Sequence, residues 1–294
     1  MEFFGTGELA AMGTAVLWTL SAVAWTSAGR DVGALPVSFL RLIVTCGYFL
    51  IYFFYSRAVH GQWFPAVPSD AWWWLLASGF VGFFLADVLL FKALVMVGPR
   101  ITLLIQALVA PIAAVTAWTL FADPLAARQW AAMAVTLAGV VWVVLERSDP
   151  TQGRHTAGEI RFGLLLAFGA AIGQGAGLVL SKQGLGDCDA ASATFIRVVG
   201  ALAGFVPMIT LMRRWPNMLK GARVRRAMGI LAVGSFVGPF LGVILSMVAL
   251  QHAHPGVVGT ILATMPILIL PFVIFVYHEK VSPRAALGAV VAVI

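Results

Sequence analysis

Charged side chains are scarce in this sequence. Asp, Glu, Lys and Arg make up 11% of the 294 residues, against about a quarter in a typical soluble domain. Hydrophobic residues make up 61%, which is more apolar surface than a water-soluble protein of this length could bury, so a soluble domain is excluded. The apolar residues fall in runs of roughly 20, long enough to cross a hydrocarbon core about 30 Å thick. We therefore expect an all-α polytopic membrane protein.

Cysteine and clustered histidine are also nearly absent. The only two cysteines are Cys46, inside an apolar run, and Cys188, in a loop, which excludes a disulfide framework. His252 and His254 follow one apolar run, whereas His278 lies at the opposite side of the membrane, so they cannot form a metal site. Neither a Walker glycine loop nor a Ser-His-Asp set in one layer is present. We expect no metal, no cofactor and no enzymatic activity; a membrane enzyme and a non-transporting scaffold are the alternatives.

The apolar runs predict ten transmembrane helices. A polar connection at 146–161 separates the first five from the last five, which predicts two units at 1–146 and 158–294, the last helix being short. The expected spans are roughly 8–28, 35–55, 71–97, 101–121, 125–145, 162–181, 190–212, 227–250, 256–277 and 283–294.

The two units are internal repeats. SFLR at 38–41 matches TFIR at 194–197, and VGFFL at 81–85 matches VGPFL at 237–241. The offset is 151 residues near the start of the units and 155 to 156 further along. Because five is an odd number of spans, the second unit must enter the membrane the other way up. We therefore expect two inverted five-helix repeats, an architecture typical of secondary transporters that bind solute near the midplane.

The repeated features resemble the EamA type of the drug/metabolite transporter (DMT) superfamily. The resemblance rests on the paired arginine spans, on Pro111 and Pro266, and on the acidic residue that closes the fourth and ninth spans in FADPL and YHEKV. It implies transport of a small metabolite by alternating access; similar proteins export amino acids and other metabolites or import sugars. The family usually has glycine before the acid, where this chain has Ala122 and His278, and Asp123 replaces the commoner glutamate.

Lys and Arg outside the spans are distributed unequally, with three on the N-terminal side and thirteen on the opposite side. The positive-inside rule places the richer side in the cytoplasm and both termini outside; cytoplasmic termini, described for many members of the family, are the alternative. Topology alone explains the basic loop at 213–226, so nucleic acid is not an expected partner. The expected partners are a small-molecule substrate and the lipid bilayer of a bacterial inner membrane, with a homodimer as a further alternative.

Ionisable side chains inside the apolar runs are candidates for the substrate pathway. Arg41, Asp87 and Lys92 fall at similar depths from one side of the membrane. Because a charge at the bilayer centre costs about 2.5–3.5 kcal/mol, Asp87 needs a partner, with Arg41 the first choice and Lys92 the second. Arg197 repeats Arg41, but Val243 stands opposite Asp87. The two arginines either face the pathway or act as structural clamps that reach an interface.

Aromatic and amide side chains extend this set of candidates. Trp18, Ser21 and Trp25 lie on one face of the first span, and the two indoles either line a pocket or pack against neighbouring helices. Three glutamines in or near the spans complete the pathway candidates: Gln106, Gln174 and Gln251.

Prolines and glycines predict how the helices bend and pack. Pro111 and Pro266 fall midway along their spans, where each removes a backbone hydrogen bond. Each either marks a hinge or gate or is a purely structural kink. Small residues recur every four positions on three helices, which predicts close helix packing in lipid. The glycines of these stripes are Gly82, then Gly169, Gly173 and Gly177, then Gly234, Gly238 and Gly242.

Overall fold

The computed structural model describes residues 5–61, 67–146 and 157–268. Over these ranges the chain is helical and contains no β-strand, as expected for a chain whose apolar backbone must satisfy its own hydrogen bonds in lipid. The tenth predicted span and the end of the ninth, including Glu279, lie outside the described residues.

The helices are numbered in chain order. The N-terminal part contains α1 (Thr6–Val32), α2 (Ala34–His60), α3 (Ser69–Gly79), a π-helical segment π1 (Phe80–Leu85), α4 (Ala86–Gln106), α5 (Val109–Phe121) and α6 (Ala127–Glu146). The C-terminal part contains α7 (Ala157–Leu185), α8 (Ala190–Leu211), α9 (Trp215–Ala222), α10 (Arg225–Ser235), a second π-helical segment π2 (Phe236–Gly242), α11 (Val243–His252), α12 (Pro255–Leu262) and α13 (Met265–Leu268).

Six helical stretches in the described ranges are long and apolar enough to cross a membrane, and Val109–Phe121 is a shorter apolar helix. The prediction of an all-helical, multi-pass membrane protein is confirmed, and these stretches account for six of the ten expected spans. The six are Thr6–Val32, Ala34–Val59, Ser69–Ala93, Gly158–Leu185, Ala190–Leu211 and Arg225–His252.

The break expected after residue 97 is not present. Helix α4 continues through Pro99 to Gln106, and the chain turns only at residues 107–108. Pro111 then occupies the third position of α5. Because the first residues of a helix have no intrahelical acceptor for their N–H groups, proline is tolerated there. The fourth span is therefore interrupted rather than kinked.

The C-terminal part has the same interruption at the matching position. Helix α12 ends at Leu262, residues 263–264 form a turn, and Pro266 is the second residue of α13. Thr264 N donates to Ile261 O at 3.1 Å and closes that turn. Each proline thus begins a new helix, because it cannot donate the hydrogen bond that would continue the old one. The predicted mid-helix kinks are corrected to helix breaks.

Helices from the two parts pack against each other in an equivalent way. Helix α1 contacts α10, π2 and α11, and α7 contacts α3, π1 and α4. The glycine stripes lie in these contacts. A Cβ added at Gly177 would stand 2.7 Å from Gly82 Cα, and one added at Gly242 would stand 2.7 Å from Trp18 Cδ1. The first contact is therefore backbone against backbone, whereas the second is an indole against a glycine.

The π segments also occupy matching positions in the two parts, 156 residues apart. Pro239 lies within π2, and its missing N–H explains the wider turn there. Phe83 stands at the matching position in π1, so no proline causes the first segment. A π turn shifts the faces of the helix on either side of it and is common at functional sites. Asp87 is the second residue after π1.

Ala122 ends α5 in the left-handed conformation, with φ 50° and ψ 36°. This is the position at which the EamA type usually has glycine, which adopts that conformation without a Cβ clash. We expect Ala122→Gly to raise the free energy of unfolding by about 1 kcal/mol, measured by denaturation in detergent. Ala132→Gly, at an exposed position in α6, should instead lower it by about 1 kcal/mol. An equal loss of unfolding free energy in both variants would contradict the left-handed conformation of Ala122.

Candidate functional site

A buried ion pair joins α2 to α4. Arg41 Nη2 donates to Asp87 Oδ2, and each residue is 8% exposed. Arg41 projects from the first third of α2, and π1 directly precedes the turn that carries Asp87. The pairing predicted from the depths of the two residues is therefore present. Two opposite charges held together within the apolar interior are the strongest electrostatic feature of the described chain.

An indole from α1 covers the guanidinium of this pair. Arg41 Cζ lies 4.4 Å from the centroid of the Trp25 ring, a distance at which the negative face of the ring attracts the cation. The position of Trp25 is fixed by α10, because a Cβ added at Gly234 would stand 3.1 Å from Trp25 Nε1. Helices α1, α2, α4 and α10 therefore meet at Arg41.

Several buried polar atoms on the helices that meet at Arg41 have no hydrogen-bond partner among the described residues. Each such atom costs about 1–3 kcal/mol when it is buried unpaired. Ser38 lies three residues before Arg41, on the same face of α2, and Ser235 follows Gly234 in α10. The unpaired atoms are Trp25 Nε1, Ser38 Oγ, Arg41 Nε and Ser235 Oγ. We call Trp25, Ser38, Arg41, Asp87 and Ser235 the Arg41 centre.

The second arginine has different partners. Arg197 is 3% exposed, so it does not reach an interface. Its Nε donates to Ser78 Oγ at 2.7 Å, its Nη1 lies 3.8 Å from Met247 Sδ, and its Cζ lies 4.3 Å from the centroid of the Phe83 ring. No carboxylate of the described chain forms a salt bridge with it. Among the two alternatives, the packing favours a structural clamp for Arg197.

Ser78 extends this clamp to α7. Its hydroxyl is 3.0 Å from Gly177 O and 2.6 Å from Ser181 Oγ, and Ser181 Oγ also donates to Gly177 O at 2.6 Å. The hydroxyl pair thus connects α3 to α7 at the place where Gly82 and Gly177 bring the two backbones together. The close approach of Gly82 and Gly177 brings Ser78 within hydrogen-bonding distance of α7, and the hydrogen bond in turn stabilises that approach.

A third polar cluster lies where the ends of α5 and α7 meet the start of α12. Asp123 Oδ2 is 3.7 Å from Lys182 Nζ and 3.5 Å from His254 Nε2, and Asp123 O is 2.9 Å from His254 Nε2. His254 Nδ1 accepts from Gly256 N at 3.0 Å and so caps α12. The other ring nitrogen, Nε2, is the one that faces Asp123. The cluster ties the end of α5 to the start of α12.

The other predicted residues are dispersed. Lys92 is exposed and is not brought to the Arg41–Asp87 pair. Gln106 ends α4 with both amide atoms buried and without a partner in the described ranges, whereas Gln174 is half-buried in α7. Gln251 donates to Cys188 O at 3.0 Å in a loop contact. Trp18 and Trp25 pack on the glycines of α10 and π2.

The serines were not recognised from the sequence. Single hydroxyl residues are common in apolar helices, where they usually bond to the carbonyl four residues earlier. The one available signal was the spacing of Ser38, one turn before Arg41 in SFLR. Ser78 falls in the small-residue stripe with Gly82 and Ala86, but nothing in the sequence predicts its hydrogen bonds or the burial of Ser235, because both depend on distant parts of the chain.

The fold defines a multi-pass helical membrane protein, and the comparisons give its family. The sequence model of the EamA-like transporter family matches residues 5–145 and again 161–294, so the chain belongs to the EamA-like transporter family. A protein of known crystal structure superposes with a TM-score of 0.71 at 18% identity, covering 98% of this chain and 93% of that chain. At that identity it shows a shared fold. No curated protein matches by sequence.

Proposed function

We propose that this protein is a secondary transporter that moves a small, amino-acid-like metabolite across the bacterial inner membrane by alternating access. Its ten transmembrane helices form two inverted five-helix repeats, and the direction of transport is export. Membership of the EamA-like transporter family supports the general class, a membrane transporter. The single observation that carries the proposal is the Arg41 centre, a buried ionic site that combines residues from both parts of the chain.

The electrostatics of the centre favour transport over a purely structural role. Ionisable groups within a membrane are expensive and mark substrate or ion pathways. A structural pair would satisfy its hydrogen bonds, as a buried polar network normally does. The Arg41 centre instead keeps donors that have no acceptor among the described residues, which favours a site that binds a ligand.

The packing supplies a route for alternating access. Helix α1 contacts the helix that π2 interrupts, and α7 contacts the helix that π1 interrupts. Glycines lie in both contacts. Small residues let such helices slide or rock with little steric resistance. The interruptions before Pro111 and Pro266 are matching points at which half-helices can move relative to each other, so we assign the hinge or gate role to these breaks.

Transport is tested with the purified full chain in proteoliposomes. A panel of labelled amino acids, small organic acids, sugars and drug-like cations is offered with and without a proton gradient. We expect uptake or exchange of at least one class above the background of protein-free liposomes. A variant with both Arg41→Met and Asp87→Leu should fold and fail to transport. No transport of any class by the unaltered protein would overturn the proposal.

Orientation is tested with single cysteines in a chain that lacks Cys46 and Cys188. We expect Asp187→Cys to react with an impermeant thiol reagent in intact cells, and Lys220→Cys to react only after lysis, because the positive-inside rule places Lys220 in the cytoplasm. Both positions are exposed. The reverse pattern would place the termini in the cytoplasm.

Native Cys188 serves as a further control for the labelling experiment. Burial, with contributions from Asp70, Asp187 and Asp189, raises the pKa of the Cys188 thiol above its usual value. Since the thiolate is the reactive form, Cys188 in the unaltered protein should label slowly at neutral pH even though its loop is on the N-terminal side. Its label should rise after denaturation.

A further inference from the structure

Hydrogen-bond donors outnumber acceptors at the Arg41 centre. The two nitrogens Arg41 Nε and Trp25 Nε1 can only donate, and both are buried without a partner among the described residues. The hydroxyls of Ser38 and Ser235 are equally unpaired. Among the described residues, the only strong acceptor of the centre is the Asp87 carboxylate, and Arg41 Nη2 is the one donor seen on it. A ligand that completes the centre must therefore bring acceptors and negative charge.

We propose that the Arg41 centre binds small solutes through a carboxylate, and that this carboxylate takes the place of Asp87 on Arg41. The proposal rests on the transport function proposed above and names the substrate class for the same site. In the solute-free protein, Asp87 occupies the position that the solute carboxylate takes in the complex. Binding is thus an exchange of one carboxylate for another on the same guanidinium.

The geometry of guanidinium explains why a carboxylate is favoured over other acceptors. Two parallel N–H groups of arginine match the two oxygens of a carboxylate. Asp87 uses one terminal nitrogen and leaves Nε free, so it does not complete this arrangement. A free solute carboxylate can bridge Nε and a terminal nitrogen while its second lone pairs accept from Trp25 Nε1 and from a serine hydroxyl.

Other solute classes fit the centre less well. A cationic group would be repelled by Arg41 and would leave the unpaired donors unsatisfied. A sugar hydroxyl can accept a hydrogen bond, but it has no charge with which to compete against the Asp87 carboxylate. A primary amide has one acceptor oxygen and adds two donors of its own. Carboxylates and amides of the same shape therefore give a stringent comparison.

Arg197 provides an internal contrast within the same protein. Its Nε is already bonded to Ser78, and its Nη1 faces Met247. None of its atoms is among the buried polar atoms that lack a partner. The matching arginine of the other part therefore has its Nε engaged by its own surroundings, and a solute would have to break a hydroxyl network to reach that nitrogen. Carboxylate binding is assigned to Arg41 only.

The binding test uses the full chain in detergent and matched pairs of solutes. Lactate is compared with lactamide, and phenylacetate with phenylacetamide, by thermal unfolding and by calorimetric titration. We expect each carboxylate to bind at least about tenfold more tightly than its amide, the difference that one charge-assisted hydrogen bond typically makes. Equal affinity of acid and amide would overturn the proposal, because the site would then not read the charge.

Three variants locate the binding in the structure. Trp25→Phe keeps an aromatic ring over Arg41 but removes the N–H together with part of the indole, and Ser235→Ala removes only a hydroxyl. We expect each to weaken carboxylate binding by roughly threefold to tenfold. The melting temperature of the solute-free protein should stay nearly unchanged in Ser235→Ala and fall in Trp25→Phe, because the smaller ring loses packing on Gly234 and Gly238. Ser246→Ala is the control, since Ser246 Oγ is buried but already bonded to Val243 O at 2.7 Å. Unchanged affinity in Trp25→Phe and Ser235→Ala would place binding elsewhere and overturn the proposal.

The experiments can contradict the transport function and the carboxylate binding independently of each other. If the unaltered protein transports a sugar or a cation and no carboxylate binds or competes, the transporter function stands and the carboxylate assignment is wrong. If the unpaired donors hold only water, the carboxylates neither stabilise the protein nor inhibit transport, and the assignment is again wrong. If no solute of any class is transported, the function itself fails whatever binds.

Discussion

Asp87→Ala is expected to lower the free energy of unfolding by about 3–5 kcal/mol, because removal of one partner leaves the other charge buried and unpaired. Arg41 is 8% exposed and forms its only salt bridge of the described chain with Asp87. Denaturation in detergent, followed by circular dichroism, measures the loss. A loss below about 1 kcal/mol would show that water already reaches Arg41.

The double variant Arg41→Met, Asp87→Leu is the matched control. Replacement of a buried ion pair by apolar residues of similar volume is often neutral or stabilising. We therefore expect the double variant to recover most of the stability that Asp87→Ala loses. It should nevertheless bind no solute, because the guanidinium is gone. Recovery of stability together with retained transport would show that the pair only supports packing.

Asp87→Asn separates packing from coupling to protons. Asparagine keeps the shape of the side chain and can accept from Arg41, but it cannot titrate. If Asp87 takes a proton when a solute displaces it, this variant should lose accumulation driven by a pH gradient while it keeps solute exchange. Transport with unchanged pH dependence at equal protein level would contradict the coupling role and leave Asp87 as a neutralising partner of Arg41.

Gly177→Leu is expected to prevent assembly of the fold. A Cβ at Gly177 would already stand 2.7 Å from Gly82 Cα and 3.2 Å from Gly82 N. Because backbone atoms cannot rotate away, α7 and π1 would have to separate. That separation would also break the bond from Ser78 Oγ to Gly177 O. Size-exclusion profiles and yield of folded protein measure the result.

Gly47→Leu is the control for this prediction, because a Cβ added at Gly47 has nothing within 4 Å. It should leave yield unchanged and raise helix stability slightly, since leucine is a better helix former than glycine. Gly177→Ala should fall between the two, with a loss of about 1–3 kcal/mol from overpacking. Equal tolerance of leucine at Gly177 and Gly47 would contradict the close packing.

The ion pair was predictable because depth in a membrane can be counted. Helices rise 1.5 Å per residue, so the distances of Arg41 and Asp87 from one side of the membrane follow from their positions in the sequence. The same counting placed Lys92 at a similar depth and made it the second choice of partner for Asp87, but Lys92 is not at the ion pair. It lies five residues after Asp87, about 140° around the helix, and depth alone does not show which face a side chain occupies.

The helix irregularities were only partly predictable. Pro111 and Pro266 indicated matching defects, but the sequence does not distinguish a kink from a complete break, which depends on whether the preceding turn can close in another way. The segment π1 has no proline, and an extra residue in a turn leaves no pattern of residue types. The unpaired donors of the Arg41 centre are also invisible in the sequence, since being unpaired is a property of the neighbours.

One stretch of helix holds a partner for each of the two arginines. Ser78 in α3 bonds to Arg197, and Asp87 in α4 bonds to Arg41, with π1 between them. The two contacts are nine residues apart, so any shift of this stretch along its axis changes both. A solute that frees Asp87 would therefore change the free energy of the contact between Ser78 and Arg197. By thermodynamic linkage, loss of that contact would change the free energy of solute binding by the same amount. A double-mutant cycle between Ser78 and Asp87 would measure that shared free energy across half the thickness of the membrane.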